Sequence, residues 1–232
     1  MYAPYKIRAP FFEIGPKCIM WGERMLKLAQ TVDKIAEKYD LDIIVTPQYA
    51  DIRLLAENTQ NLHIYAQHMD PLYPGRGLGS VLPESVKEAG AVGVMLNHAE
   101  KHLTLDVIKE TIRRADEVGL ATIVCADSVE EVSAIAKMGP NLIVAEPTDL
   151  IGTGQTSDSN YVIETIKTVN EINPDIMVLQ GAGISNGQDV YNTIKLGAQA
   201  TGTTSGIMKS DRPYEMVEEM LFNLRKAWDE LH

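Results

Sequence analysis

The segment IVAEPTDLIGTG, residues 143–154, places a carboxylate directly after an apolar run. Burying an unpaired carboxylate is costly, so Glu146 needs either a basic partner or a chemical role. A purely structural role would require a basic partner such as Lys17 or Arg76. The sequence therefore leaves two alternatives for Glu146, a buried ion pair and a reactive group.

The loop that follows Glu146 favours the chemical role. Pro147 stiffens its entry, the apolar pair at residues 150–151 forms its tip, and Gly152 and Gly154 give conformational freedom near its exit. Such a loop can cover a ligand and exclude water. A carboxylate under an apolar cover has its ionised form destabilised, which raises its pKa toward that of an effective general base.

His98 follows a second apolar run, in the segment MLNHAEKH at residues 95–102. An imidazole that faces the same cavity as Glu146 can polarise a carbonyl oxygen or transfer a proton between neighbouring oxygen atoms. The histidines that we expect to have structural roles instead are His63, His68 and His102.

Two glycine-rich turns, GAGISNG at residues 181–187 and TTSGIMK at residues 203–209, each follow an apolar run. Backbone N–H groups in such turns, together with a short helix N-terminus, bind phosphate without a basic patch. Ser185 and Ser205 are expected to add hydroxyl donors. The two turns together predict a phosphate-binding site.

Eight short apolar or β-branched runs alternate with longer segments of helical periodicity, which predicts eight β/α units. We predict an α/β fold, a (β/α)₈ barrel, in a single compact domain spanning residues 1–232. An open doubly wound sheet is the alternative, although no GxGxxG motif follows the first run. The predicted strands are residues 11–14, 42–46, 62–66, 91–96, 121–125, 142–145, 176–180 and 198–203.

A barrel of this kind carries its chemistry on the loops after the carboxyl ends of the strands, because those loops converge on one face. Lys17, in the loop after the first run, adds an ammonium group to this face. The sequence therefore predicts that Glu146, His98, Lys17 and the two glycine-rich turns share one rim.

Composition and motifs exclude several classes of function. The net charge is -11, and nucleic-acid or acidic-membrane partners would require a basic surface. No apolar run is long enough to span a bilayer, and Cys18 and Cys125 are expected to be free thiols in a reducing cytoplasm. His68 and Asp70 alone cannot form a metal site, and no serine-nucleophile motif is present.

Six motifs in the chain resemble those of the triosephosphate isomerase family, in the short form typical of archaea, which implies the same TIM-barrel fold. They follow the family's order from about residue 41 to residue 209. The motifs are TPQYADIRLLAEN (46–58), YAQHMDP (65–71), VLPESVKEAGAVGVMLNHAE (81–100), AEPTDLIGTG (145–154), GAGISNGQDV (181–190) and TSGIMKS (204–210).

The resemblance implies a reaction and roles for individual residues. Glu146 would be the catalytic base, His98 the electrophile, and Lys17 the cation near the substrate's oxygen and phosphate. The substrate would be a small phosphorylated sugar, and no metal or organic cofactor would be needed. The phosphate pocket would be lined by Ile151, Gly152, Gly183, Ser185, Thr204, Ser205 and Gly206.

The same resemblance implies a homodimer or homotetramer, with the loop at residues 67–80 as the subunit contact. An ordinary surface loop is the alternative for that segment. Leu78 and Ala99 stand where the family commonly has threonine and serine, respectively.

The first strand and loop depart from the family, which usually has Asn-x-Lys where this chain has Gly15-Pro16-Lys17. The asparagine's hydrogen bond to the substrate is therefore missing at Gly15, and Lys6 is an alternative for the lysine. Three hypotheses follow: a triose-phosphate isomerase, an isomerase of another small sugar phosphate such as a tetrulose phosphate in space opened by Gly15, and a phosphate-binding barrel without catalytic activity.

Overall fold

A computed structural model describes residues 1–232 and shows eight parallel strands closed into a barrel in the order β1 to β8, with β8 paired to β1. The prediction of a (β/α)₈ barrel is confirmed, and the open doubly wound sheet is wrong. The strands are β1 (Phe11–Ile14), β2 (Asp42–Val45), β3 (Leu62–Ala66), β4 (Gly93–Leu96), β5 (Ala121–Ala126), β6 (Leu142–Ala145), β7 (Met177–Gln180) and β8 (Ala200–Thr203).

Helices connect the strands and surround the barrel. Several of them begin and end on residues suited to those positions: Thr104 accepts a hydrogen bond from the Val107 N–H, and Gly119 ends the same helix with a φ of 78°. The helices are α1 (Gly22–Tyr39), α2 (Ile52–Asn58), α3 (Pro83–Glu88), α4 (Leu105–Val118), α5 (Val129–Ala136), α6 (Ser159–Ile172), α7 (Gly187–Lys195), α8 (Ser205–Met208) and α9 (Pro213–Asp229).

Alternation along each strand sends side chains to two apolar regions. In β1, Phe12 and Ile14 belong to the layer between the barrel and the helices, whereas Phe11 belongs to the barrel interior. Glu13 and Gly15 share the face of Phe11, because residues two apart in a strand point the same way. A glutamate therefore lies inside the barrel, on the path to its carboxyl end.

The residues before β1 lie at the opposite end of the barrel from the loops that follow the strands. The Tyr5 hydroxyl lies 3.1 Å from His63 Nδ1, and Arg8 pairs with Asp42. Lys6 is exposed in this segment and therefore lies far from the predicted site, so the structure identifies Lys17 as the lysine of the rim. No helix is both long and apolar enough to cross a membrane.

Candidate active site

A cavity of about 510 Å³ opens at the carboxyl ends of the strands. Its lining includes Lys17, His98 and Glu146, together with residues of both glycine-rich turns. The barrel thus brings together three side chains that are separated by up to 129 positions in the sequence. This convergence follows from the parallel direction of the strands.

Glu146 begins the loop after β6, where it is half-buried. Its Oε1 accepts a hydrogen bond of 2.9 Å from the Ala182 N–H, and neither Lys17 nor Arg76 forms an ion pair with it. Burial raises the pKa of Glu146 above its ordinary value, an effect that the Ala182 N–H and the Lys17 charge only partly oppose. A carboxylate with a raised pKa is a better proton acceptor than a surface glutamate.

The loop after Glu146 rests on the first glycine-rich turn. Its residues Thr148–Leu150 form a short 3₁₀ turn, and the Thr148 N–H donates to Asp127 Oδ1 at 2.7 Å. A side chain at Gly183 would lie 2.0 Å from the Gln155 carbonyl oxygen, so only glycine permits this contact. Ile151 and Gly152 line the cavity from this loop.

His98 is half-buried in the loop after β4. The Glu100 N–H donates to His98 Nδ1 at 3.0 Å, so the neutral ring carries its proton on Nε2. Burial lowers the pKa of His98, and the nearby Lys17 charge lowers it further. The side chain is therefore a neutral imidazole whose Nε2–H group is a donor.

Asn97 fixes the position of His98, a role that the sequence interpretation missed. It is buried and has a φ of 57°, a left-handed conformation that asparagine adopts more readily than most residues. Its Nδ2 donates to the Cys125 carbonyl at 2.9 Å and to Glu131 at 3.0 Å. Its Oδ1 accepts from the Leu103 N–H at 2.9 Å. An asparagine directly after an apolar run was the available signal.

Lys17 also has a left-handed backbone, with a φ of 49°. Amide groups hold this strained conformation, since its carbonyl accepts from Gln48 at 2.7 Å and from Gln67 at 3.2 Å. Its Nζ lies 2.8 Å from Glu100 Oε1. Glu100 also belongs to the rim, and the sequence interpretation did not assign it a role.

The first glycine-rich turn differs in part from expectation. The Ser185 hydroxyl donates to the Gly183 carbonyl at 3.1 Å, and the Ser185 N–H donates to Asp189 at 2.9 Å. Both groups are therefore used inside the protein, whereas the N–H of Gly183 has no protein acceptor. In this turn the free donor is a backbone amide and not the serine hydroxyl.

The second glycine-rich turn connects β8 to α8. The Gly206 N–H donates to Thr203 Oγ1 at 3.2 Å, so it too is used inside the protein. The N–H groups of Thr204 and Ser205 have no protein acceptor. Thr204, Ser205 and Lys209 line the cavity, and this lysine is a cation that the sequence interpretation did not single out.

Gly15 lines the cavity, but the space beside it is occupied. A Cβ at this position would lie 3.0 Å from Glu13 Oε1, 3.2 Å from Thr204 Oγ1 and 3.4 Å from Thr46 Oγ1. The expectation that Gly15 opens room for a larger substrate is therefore not supported by the structure. Glu13 was missed because it lies within a strand that is otherwise apolar.

Comparison with known proteins agrees with this geometry. The family model described as triosephosphate isomerase matches residues 17–220. A triosephosphate isomerase of Methanobacterium bryantii is 40% identical over 203 residues, covering 86% of this chain and 89% of that protein. One of Sulfurisphaera tokodaii is 38% identical over 211 residues, covering 90% of this chain and 92% of that protein.

The fold has a solved counterpart. A crystal structure of triosephosphate isomerase from Bartonella henselae superposes with a TM-score of 0.76 at 13% identity, covering 96% of this chain and 100% of that one. That likeness concerns the fold alone. The family match and the relatives confirm the resemblance read from the six motifs, and this chain is an isomerase of the triosephosphate isomerase family.

Proposed function

We propose that this chain interconverts dihydroxyacetone phosphate and D-glyceraldehyde 3-phosphate by proton transfer through an enediolate, with residues 1–232 acting as one isomerase domain. The observation that carries the proposal is that Glu146, His98 and Lys17 line one cavity next to unpaired backbone N–H groups. The interconversion of a phosphorylated ketose and aldose requires a base at carbon, an acid at oxygen and a site that binds the phosphate group.

Glu146 acts as the base. Its carboxylate removes a proton from C1 of dihydroxyacetone phosphate and returns a proton to C2, which gives the aldose. The raised pKa reduces the free-energy cost of the transfer, and the hydrogen bond from Ala182 keeps the carboxylate oriented. The apolar tip of its loop restricts water at the reacting carbons.

His98 and Lys17 act on the oxygen atoms. The Nε2–H of His98 donates to the carbonyl oxygen at C2 as negative charge develops there, and His98 recovers a proton from the hydroxyl at C1. The neutral ring fits this role because its Nδ1 is held by the Glu100 N–H. The Lys17 ammonium stabilises the charge on the enediolate. The mechanism uses no metal or organic cofactor.

The substrate's phosphate is assigned to the N–H groups of Gly183, Thr204 and Ser205, with Lys209 as a nearby cation. Ile151 and Gly152 also line the cavity, whereas Ser185 and Gly206, which the resemblance placed in the phosphate pocket, are not among its lining residues. Amide donors explain how an acidic protein can hold an anion. A four-carbon sugar phosphate is a second candidate substrate, but the occupied space beside Gly15 favours the three-carbon one.

Turnover of a panel of phosphorylated aldoses and ketoses tests the proposal. Glu146→Gln should reduce kcat by about 10³-fold, because the base is lost while the shape of the side chain is kept. Glu164→Gln, the same change at an exposed position of α6, is the matched control and should leave kcat unchanged. Full turnover by Glu146→Gln would exclude Glu146 as the base, and a parent protein inactive on the whole panel would favour the non-catalytic alternative.

We also propose that the chain forms a homodimer or homotetramer through the loop at residues 67–80. Leu78 on this loop is fully exposed, and Trp21, in the loop after β1, is 63% exposed. Buried Arg114 holds the base of the loop by donating to the Leu72 carbonyl at 2.9 Å. Leu78→Asp should lower the molar mass in light scattering, whereas Leu231→Asp at the carboxyl end should not.

We further propose that the enzyme acts in the cytoplasm. Its two cysteines support this location, since Cys18 and Cys125 are unpaired and Cys125 is buried. Titration of both thiols in the denatured protein isolated from cells would test it, because a secreted form is expected to show oxidised cysteine.

A further inference from the structure

Glu13 is a buried carboxyl group in the cavity that the mechanism above does not use. Glu13 is 8% exposed and lines the pocket from β1. Its Oε1 accepts a hydrogen bond of 2.9 Å from the Thr46 hydroxyl. The barrel interior contains a cluster of 11 buried hydrophobic residues, among them Phe11 on the same face of β1, so a carboxyl group here requires an explanation.

Two glycines make room for this carboxyl group. A Cβ at Gly15 would lie 3.0 Å from Glu13 Oε1, and a Cβ at Gly202 would lie 3.0 Å from Glu13 Oε2. The carboxyl group therefore occupies the space that a side chain at residue 15 would take. Glu13 reaches it from two positions earlier on the same face of β1.

We propose that Glu13 is a specificity-determining residue that contacts an oxygen atom of the bound sugar phosphate, in place of a side chain at residue 15. The proposal rests on the isomerase function proposed above. It assigns one hydrogen bond to the substrate, donated by the protonated carboxyl group on the side of the pocket where Lys17 lies.

The surroundings favour the protonated form when an anionic substrate is bound. Burial raises the pKa of Glu13 to about 7, and the Glu146 charge contributes to the rise. The Thr46 hydroxyl and Lys17 act in the opposite direction. A phosphate dianion in the same cavity would favour protonation further, because like charges repel in a poorly solvated site.

Steady-state kinetics of substituted proteins test the contact. Glu13→Met keeps the length of the side chain but removes the hydrogen bond, and should lower kcat/KM by about 10- to 100-fold, mainly through KM. Glu13→Gln should recover most of that loss, since its amide N–H can donate. A role limited to packing predicts equal values for these two variants.

A double substitution tests whether Glu13 replaces a side chain at residue 15. Gly15→Asn alone should impair the enzyme because the new side chain meets Glu13 Oε1. Glu13→Ala combined with Gly15→Asn should return kcat/KM to within about threefold of the parent, a non-additive result expected only for residues that share one space.

A failure of the Glu13 proposal can be distinguished from a failure of the proposed isomerase function. The parent's turnover on the substrate panel measures the function, whereas the ratios between variants measure Glu13. The increase in Tm caused by dihydroxyacetone phosphate reports how tightly each variant binds it, so the variants can also be compared by their binding constants, without turnover. Binding and kcat/KM of Glu13→Met within twofold of the parent, or additive effects in the double variant, would overturn the proposal.

Discussion

The buried carboxyl group of Glu13 should make the stability of this protein depend on pH in a way that Glu13→Gln removes. Burial is the largest cause that raises the pKa of Glu13 from its ordinary value of 4.5 to about 7. Its neighbours have mixed effects, since Glu146 adds to the rise while the Thr46 hydroxyl and Lys17 reduce it.

The folded and unfolded states lose the Glu13 proton at different pH values, and this difference sets the direction in which stability changes with pH. The unfolded chain loses the Glu13 proton near pH 4.5, whereas the folded protein keeps it until about pH 7. The free energy of unfolding therefore falls as pH rises through this interval and becomes level above it. The shift from 4.5 to about 7 corresponds to about 3 kcal/mol at most.

Chemical denaturation at pH 5, 6, 7 and 8, at one fixed protein concentration, measures the effect. The stability of Glu13→Gln relative to the parent should increase by up to about 3 kcal/mol from pH 5 to pH 8. Glu88→Gln, on the exposed surface of α3, controls for the loss of one carboxylate. Parallel pH dependence of the parent and Glu13→Gln would refute the reasoning, because it would mean that Glu13 ionises equally easily in both states.

Three further predictions concern the site. In a pH profile, kcat/KM should fall in acid as Glu146 becomes protonated. Because the pKa of Glu146 is raised, the midpoint of this fall should lie above pH 4.5. A midpoint at or below pH 4.5 would contradict the assignment of Glu146 as the base. Asn97→Ala should lower kcat about tenfold and the free energy of unfolding by about 1–3 kcal/mol, because it removes the hydrogen bonds that hold the His98 loop. Steady-state kinetics and thermal unfolding measure the two effects. Gly183→Ala should lower both Tm and activity, because the new methyl group meets the Gln155 carbonyl. Gly197→Ala is the control: it is also at positive φ but faces open space, so it measures the cost of backbone strain alone. Equal effects of the two substitutions would show that contact with Gln155 adds nothing.

The fold could be predicted from the sequence because the hydrophobic pattern is local and repeats eight times. The predicted strands 11–14, 62–66 and 142–145 coincide with those of the structure. The predicted fourth strand began two residues early, since Ala91 and Val92 are apolar but precede the short ladder in which Tyr65 and Ala66 pair with Gly93 and Val94. Apolar character marks burial, whereas the ends of a strand depend on pairing with its neighbours.

The site could be predicted only where residues directly follow strands. Glu146 and His98 were found in this way, and their placement in one cavity follows from the barrel. The Lys17–Glu100 pair joins two loops that lie 83 positions apart, so no local pattern indicates it. Glu13 was hidden for a different reason, because it lies within a strand that is otherwise apolar, and the space for its carboxyl group comes from Gly202 on β8, the residue that pairs with it.

The charge balance of the cavity explains why Glu13 is the group best suited to carry a proton. Three lysines and three glutamates line the cavity, although the whole chain has a net charge of -11. Glu100 is held ionised by its bond to Lys17, which lowers its pKa, and Glu146 must be ionised to accept a proton from carbon. Of the three glutamates, only Glu13 can be protonated without loss of an ion pair or of the base. Protonation there gives the cavity a net positive charge as the phosphate enters, and it leaves Glu146 free to act.

The lysine and glutamate lining residues are Lys17, Lys101, Lys209, Glu13, Glu100 and Glu146. If this balance governs binding, the affinity for dihydroxyacetone phosphate should decrease as pH rises through about 7 in the parent. The affinity of Glu13→Gln should change much less over the same range, because its side chain is neutral at every pH. Isothermal titration calorimetry of both proteins between pH 6 and pH 8.5 measures this difference. Identical slopes in both proteins would place the linked proton on another group, such as the substrate's own phosphate.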